Sequence, residues 1–157
     1  MSDQPTPAEG PADEVPAMDP KQFAQLIGAA SDEQIEQGLT ANRDMILGEI
    51  FRRMPEQVHA ERARNVDAVV QWEITGRPDG GSDRFQLTIK GGTCELDRDG
   101  SREPTVSYVI GPVDFVKLVS GNASGPQLFV FGKLKIRGDL MLAARMPSLF
   151  KIPRAAA

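Results

Sequence analysis

The hydrophobic period changes part-way along the chain, and this change limits the folds open to it. In the earlier part, apolar residues recur three and four positions apart, as Leu47, Ile50 and Phe51 do, which is the spacing of one helix face. Further on, apolar and polar residues alternate, as in 70–74 and 106–110, which is typical of strands with one buried face. Helices followed by strands predict an α+β domain.

Four strands are predicted in close succession. They cover 70–74, 85–89, 94–96 and 106–110, and the turns between them are rich in Gly and Asp. Such close spacing predicts an antiparallel meander with one polar face.

The end of the chain adds two helices and a fifth strand. Pro112 opens a helix that Gly121 ends, a loop leads to a strand over 134–137, and the last helix starts at Asp139. Because a helix precedes it, the fifth strand can join the sheet by a crossover. We therefore predict a five-stranded, mostly antiparallel sheet with helices covering one face.

The first residues have a different composition. The first twenty contain five acids and five of the twelve prolines, and no basic residue. Such a segment buries too little apolar surface to order itself, so residues 1–18 are predicted to be a disordered tail, and they lack the features of a signal peptide. Two further helices are predicted over 19–39, the second with a capping box at Ser31, and the main domain over 40–152 begins with another helix at about Thr40.

Composition excludes several classes of function. Without the acidic tail the chain is close to neutral, which argues against nucleic-acid binding, and no run reaches the ~20 apolar residues of a membrane span. Cys94 and His59 are the single residues of their types, so neither a disulfide nor a Cys/His zinc site is expected within one chain. We predict no metal, no cofactor and a cytoplasmic location.

Catalytic motifs are also missing. The sequence has no G-x-S-x-G elbow, no phosphate loop and no G-x-G-x-x-G. His59 is predicted to be an exposed surface residue, and Cys94 a small buried hydrophobe. Tyr108 is predicted to lie in a core or pocket with its hydroxyl paired. An enzyme built from Tyr108 and carboxylates stays open as an alternative.

Several short pieces of the sequence form a recognisable pattern. In chain order they are Asn42 with Ile50-Phe51-x-x-Met54, Trp72-x-Ile74-x-Gly76 with Asp79-Gly80, Phe85-x-Leu87-x-Ile89, Pro104, Asp114-Phe115-x-x-Leu118-x-x-Gly121, Phe129-x-x-Gly132-Lys133-Leu134-Lys135-Ile136-x-Gly138-Asp139, and Leu149-Phe150. In their order and spacing these pieces resemble the sterol carrier protein family of type 2, the nonspecific lipid-transfer domains. The resemblance covers roughly residues 40–150, and its Gly-Lys-x-x-x-x-Gly-Asp piece is the most specific.

This resemblance implies an apolar tunnel between sheet and helices that takes a fatty acid, an acyl-CoA, a sterol or another lipid, with no catalytic residue in the domain. Binding and transfer of such ligands is the expected function. Two alternatives stay open: a small α+β enzyme acting on a steroid or acyl substrate, and a lipid-sensing domain that recruits a protein through its N-terminal helices. The ending Arg154-Ala-Ala-Ala differs from a peroxisomal address such as Ser-Lys-Leu, consistent with the cytoplasmic prediction.

The apolar faces and the resemblance together predict which residues form the tunnel wall. The expected wall residues are Ile50, Phe51, Trp72, Phe85, Leu87, Ile89, Tyr108, Phe115, Leu118, Phe129, Leu134, Ile136, Met141, Leu142, Met146 and Phe150. The last helix either lids this tunnel or seals the core. Lys133, Lys135 and Arg137 form a basic row on the fifth strand, which is either an ordinary solvated face or a contact for an anionic headgroup or membrane.

Overall fold

The computed structural model describes residues 20–97 and 101–150. Two helices come first, α1 (Pro20–Ala29) and α2 (Asp32–Arg53), and a short 3₁₀ helix (Met54–Gln57) follows. The predicted tail, residues 1–18, and the predicted cap Asp19 lie outside the described residues.

Helix α2 combines two segments that the sequence predicted as separate helices. Ser31 caps it through the predicted capping box with Gln34. Instead of a break at Thr40, the helix kinks at Asn42, whose backbone angles are −140° and 39°. Just past the kink, the Arg43 guanidinium donates hydrogen bonds to the carbonyl oxygens of Ile74 (2.8 Å) and Thr75 (2.9 Å). These contacts fix the kinked part of α2 against the sheet.

The sheet has five strands in the order β3-β2-β1-β4-β5. The strands are β1 (Asp67–Ile74), β2 (Asp83–Lys90), β3 (Thr93–Asp97), β4 (Val106–Ile110) and β5 (Leu134–Gly138). All pairs are antiparallel except β1 with β4, which is parallel. The prediction of a five-stranded, mostly antiparallel sheet with helices is confirmed.

The predicted four-strand meander is wrong for its last strand, because β4 pairs with β1 and not with β3. Strands β2 and β1 lie between β3 and β4 in the sheet, so the chain returns across both of them before β4 begins. Gln86, which is fully buried, fixes this return: its Nε2 donates to the Arg102 carbonyl oxygen (2.8 Å) and its Oε1 accepts from the Arg102 N–H (3.1 Å). The fifth strand then pairs antiparallel with β4, its predecessor in the sequence, so it does not cross over another strand.

Three helices complete the fold, α3 (Pro112–Val119), α4 (Gly125–Val130) and α5 (Leu140–Leu149). Helices α3 and α5 were predicted, and Asp139 caps α5 by accepting from the Leu142 N–H at 3.0 Å. Helix α4 was not predicted, since its segment was assigned to a loop. Its local signal is a serine N-cap, Ser124, two residues before Pro126.

The main core lies between α2, α3 and the β1–β2 part of the sheet. Phe51 stacks on Phe85 with ring centroids 4.0 Å apart, and on Phe115 at 5.1 Å. Leu87 and Ile89 from β2 are fully buried beside them. The rings of this core stack on one another, and the cavity described below lies over the other half of the sheet.

Candidate functional site

A cavity of about 530 Å³ lies between the helices and the β1–β4–β5 half of the sheet. Its floor is formed by side chains from these strands: Trp72, Tyr108, Leu134 and Ile136. The first three of them are buried, whereas the cavity also touches exposed residues of α4 and α5, Phe129 and Leu140. The cavity therefore has a buried floor and reaches the surface beside exposed residues of α4, α5 and the 3₁₀ helix, such as Phe129, Leu140 and Glu56.

Nine of the predicted wall residues line this cavity. They are Ile50, Trp72, Tyr108, Leu118, Phe129, Leu134, Ile136, Met146 and Phe150. Their contact with a ligand and the continuation of the cavity as a tunnel stay predictions.

Seven predicted wall residues lie elsewhere. Six of them pack in or against the core: Phe51, Phe85, Leu87, Ile89, Phe115 and Leu142. Strand β2 is separated from β4 by β1, so its apolar face meets α2 and the packed core and does not reach the cavity. Met141 is 81% exposed, because it sits on the outer side of the first turn of α5. The sequence identified the apolar face and could not divide it between core and cavity.

The sequence missed other parts of the wall. Phe23 reaches it from α1, and α5 adds Leu140, Ala143, Ala144 and Pro147. Of these residues, Phe23 belongs to a predicted apolar helix face. The others lie outside the face predicted for the last helix, and the packing of the helices brings them to the cavity.

Charged groups border the cavity along the end of α2. The Glu49 carboxylate accepts hydrogen bonds from Arg52 (2.6 Å) and from Arg53 (2.5 Å), and Glu49 and Arg53 both line the cavity. The hydrogen bond from Arg52 is the main cause that lowers the pKa of Glu49. Glu56 and Gln57 continue this polar border.

Two polar atoms on the cavity floor have no hydrogen-bond partner among the described residues. They are the Trp72 indole Nε1 and the Tyr108 hydroxyl, both buried. The Tyr108 hydroxyl was expected to be paired, and among the described residues this expectation is wrong, because its neighbours across the sheet, Trp72 and Ile136, offer no acceptor. Burial raises the pKa of Tyr108, so its hydroxyl stays protonated at neutral pH.

Several large apolar side chains in and next to α4 and α5 are exposed, and two of them, Phe129 and Leu140, also line the cavity. We call this set the apolar rim; its members are 49–81% exposed and are Phe129, Val130, Phe131, Leu140 and Met141. In the sequence, the basic row of Lys133, Lys135 and Arg137 lies between rim residues 129–131 and 140–141. Its side chains are also exposed.

Of the three residues considered for catalysis, Tyr108 lines the cavity, whereas Cys94 and His59 do not. Cys94 is half-buried, and burial raises the pKa of its thiol to about 12. His59 is half-buried and not exposed as predicted, because its backbone N–H donates to the Leu149 carbonyl oxygen at 2.6 Å. Within 20–97 and 101–150, no group of three or more His, Cys, Asp or Glu side chains could hold a metal ion. Nor does that part of the chain contain a helix long and apolar enough to cross a membrane.

The chain is similar to several known proteins. The chain is 32% identical over 139 residues to hydroxysteroid dehydrogenase-like protein 2 of Bos taurus, covering 87% of this chain and 32% of that protein. It is 30% identical over 112 residues to an oleate-induced peroxisomal protein of Candida maltosa, covering 70% of this chain and 87% of that protein. The solved sterol carrier protein domain 2 of Helicoverpa armigera superposes with a TM-score of 0.50 at 26% identity, over 56% of this chain and 69% of that one.

The extent of these matches differs between relatives. The chain spans about a third of the length of the bovine protein and most of the length of the yeast protein. Residues 47–151, more than half of the chain, match the model of the SCP-2 sterol transfer family. The chain therefore belongs to the SCP-2 sterol transfer family.

Proposed function

We propose that this chain binds a hydrophobic molecule in the cavity over β1, β4 and β5 and carries it between membranes, without catalysing a reaction on it. The observation that carries the proposal is the cavity itself, about 530 Å³ with a largely apolar wall and a mouth at the surface. Cavities of this size accommodate a small lipid or a large part of one. Fatty acids, acyl-CoAs, sterols and related lipids are the proposed ligands, in keeping with the family to which the chain belongs.

The energetics suit a carrier. Burying ~400 Å² of ligand surface at ~25 cal/mol/Å² gives about 10 kcal/mol before the costs of association. Those costs, several kcal/mol, reduce the affinity to roughly the micromolar range. A ligand held this tightly is retained in water and can still be released to a membrane.

The arrangement of acids supports a role without catalysis. A general base in the cavity would need a carboxylate free to take a proton. Two carboxylates line the cavity. Glu56 is exposed, and Glu49 is held by two arginines that lower its pKa, which makes it a weak base. The bovine relative carries the name of a dehydrogenase-like protein, but this chain covers only 32% of its length.

A titration with a fluorescent long-chain fatty acid tests the proposal, with acyl-CoA and sterol as competitors. Ala143→Phe should weaken binding at least tenfold, because Ala143 lines the cavity and the larger side chain fills it. Ser148→Phe is the matched control, since Ser148 is exposed on the same helix and does not line the cavity. Absence of saturable binding for all three ligand classes would show that the proposed function is wrong.

For ligand exchange we propose contact between the apolar rim and an anionic bilayer. The rim borders the cavity, since Phe129 and Leu140 belong both to the rim and to the cavity wall. The basic row lies on the face of the edge strand β5 opposite to the cavity-lining Leu134 and Ile136. Its long side chains complement anionic headgroups, and each lysine or arginine near such a surface contributes about 1 kcal/mol. Docking through the rim places the cavity against the lipid.

Vesicle sedimentation distinguishes this contact from an ordinary solvated surface. Lys133→Glu with Lys135→Glu should weaken binding to vesicles containing phosphatidylserine, and added salt should do the same to the unmodified protein. Lys21→Glu with Lys90→Glu is the control, because it makes the same change of charge at exposed sites on α1 and β2. Equal binding by both double variants would refute the proposed docking face.

The location of the protein is also a proposal. A cytoplasmic location fits the lone cysteine and the near-neutral main part of the chain. The name of the Candida maltosa relative states that it is a peroxisomal protein. Fluorescence microscopy of the tagged chain against a peroxisomal marker separates the two locations.

A further inference from the structure

The two polar atoms without a partner among the described residues belong to neighbouring side chains of the cavity floor. Trp72 on β1 and Tyr108 on β4 are directly opposite each other in the parallel register, and their rings stack with centroids 4.5 Å apart. They are 7% and 4% exposed, and both line the cavity. A buried donor without a partner destabilises the folded protein, so two of them together at one place call for a partner from outside the chain.

The chemistry of the two groups restricts that partner. An indole N–H only donates a hydrogen bond, and a protonated tyrosine hydroxyl donates one and also accepts. Each can donate to a neutral oxygen atom of a ligand. On the cavity floor they are surrounded by apolar side chains such as Leu134 and Ile136.

The surroundings also favour a neutral oxygen over an ionised one. No basic side chain lines the floor; among the described lining residues the cationic one is Arg53, on α2, where it is paired with Glu49. An ionised carboxylate buried beside Trp72 and Tyr108 would have no countercharge there, and such burial is strongly unfavourable. A hydroxyl or ketone oxygen has no charge to desolvate.

We propose that Trp72 and Tyr108 form a polar subsite that binds a neutral hydroxyl or ketone oxygen at the buried end of an otherwise apolar ligand. This inference rests on the proposed function and adds to it a ligand class and a direction of insertion. The ligand enters with its neutral oxygen first and leaves its apolar remainder along the cavity. A fatty acid enters the opposite way, with its carboxylate near the polar border at the end of α2.

The chain offers its own probe for this subsite, because Trp72 is its single tryptophan and Tyr108 its single tyrosine. The indole N–H therefore gives one resonance in a ¹⁵N–¹H spectrum, and a new hydrogen bond moves it downfield. We expect this shift with 1-decanol and not with 1-chlorodecane, which has similar size and no hydroxyl. Dodecanoate should bind and leave the resonance nearly in place.

Affinities on a variant complete the test. Tyr108→Phe removes the hydroxyl and keeps the ring, so it should weaken 1-decanol about tenfold and 1-chlorodecane less than twofold, as measured by displacement of a fluorescent fatty acid. Equal losses for the two ligands, or an indole shift that is the same for all three, would overturn the subsite and leave the proposed carrier function standing. Failure of every ligand to bind would overturn both. If Tyr108→Phe does not fold, the indole shifts of the unmodified protein decide the question.

Discussion

At the scale of single residues, the most specific motif of the sequence has a structural explanation. Gly138 ends β5 with a φ of +96°, and a Cβ at this position would collide with the carbonyl oxygen of Thr105. Thr105 accepts the Asp139 N–H at the same point (3.0 Å), and Asp139 then caps α5. The Gly-Asp pair thus allows β5 to pass close to the start of β4 and turn directly into a helix.

We expect Gly138→Ala to destabilise the fold by at least ~1–3 kcal/mol, from backbone strain together with the collision. Gly38→Ala is the control, since Gly38 lies inside α2 with open space around it, and there alanine should stabilise by about 0.5–1 kcal/mol. Urea unfolding of both variants measures the difference. Equal stabilities would contradict this explanation of the motif.

The Cys94 thiol should make the free energy of unfolding depend on pH in the alkaline range. Burial, with a smaller effect of Glu95, raises the pKa of Cys94 from 9.0 to about 12. Above pH 9 the unfolded chain therefore loses this proton before the folded chain does, and the free energy of unfolding falls as pH rises. The slope is at most ~1.4 kcal/mol per pH unit, and less here because Cys94 is only half-buried.

The measurement is urea unfolding at several pH values from about 8 to about 10. Cys94→Ala should flatten the decline in this window, since the burial-raised pKa of Tyr108 matters only above that residue's ordinary value of 10.0. A variant that declines as steeply as the unmodified protein would refute the assignment to Cys94.

At the scale of elements, α5 both seals the core and walls the cavity, which the sequence presented as alternatives. Leu142 and Leu149 are buried in the core, whereas Ala143, Met146 and Phe150 line the cavity. The end of the helix is fixed, because residue 149 accepts the His59 N–H and residue 150 forms a β-bridge with Val58. Any opening of this helix would therefore start at its first turn, where Leu140 and Met141 are exposed.

Alanine substitutions along α5 should separate its two roles. Leu149→Ala should cost ~2–5 kcal/mol of stability, because Leu149 is fully buried, and should leave the ligand affinity of the folded protein unchanged. Met146→Ala should cost less than that, because one side of Met146 already faces the cavity, and should weaken ligand binding severalfold. Met141→Ala should change neither. Thermal unfolding and fatty-acid titration of the three variants test these expectations. An unchanged ligand affinity in Met146→Ala would show that this residue belongs to the core only.

At the scale of the whole molecule, the N-terminal helices are joined to the main domain. Helix α2 runs across the predicted boundary between residues 39 and 40. Asn122 donates to the Ala24 carbonyl oxygen (3.0 Å), and Lys117 pairs with Asp32 (2.9 Å). Through Phe23, α1 also lines the cavity. Segments that the sequence placed outside the lipid-binding domain thus contribute to its site.

Two deletions test this contribution. Removal of residues 1–30 should lower fatty-acid affinity severalfold, because it takes away Phe23 and keeps Ser31 as the cap of α2. Removal of residues 1–18 should leave affinity and stability unchanged, as their composition predicts. Phe23→Ala should lower affinity in the same direction as the longer deletion. If both deletions bind as the full chain does, α1 has no part in the site.

The sequence by itself determined the elements and their inner faces, because strand and helix periods, glycine turns and helix caps are local. Period-2 alternation placed Trp72 and Tyr108 on a buried face, and the Ser31 and Asp139 caps marked where α2 and α5 begin. A period shows that a face is buried without showing what buries it. Only the tertiary structure paired β4 with β1, brought Phe23 to the cavity and left two polar atoms of its floor without a partner in the described part of the chain. These outcomes depend on contacts between residues far apart in the chain, whose geometry no local pattern encodes.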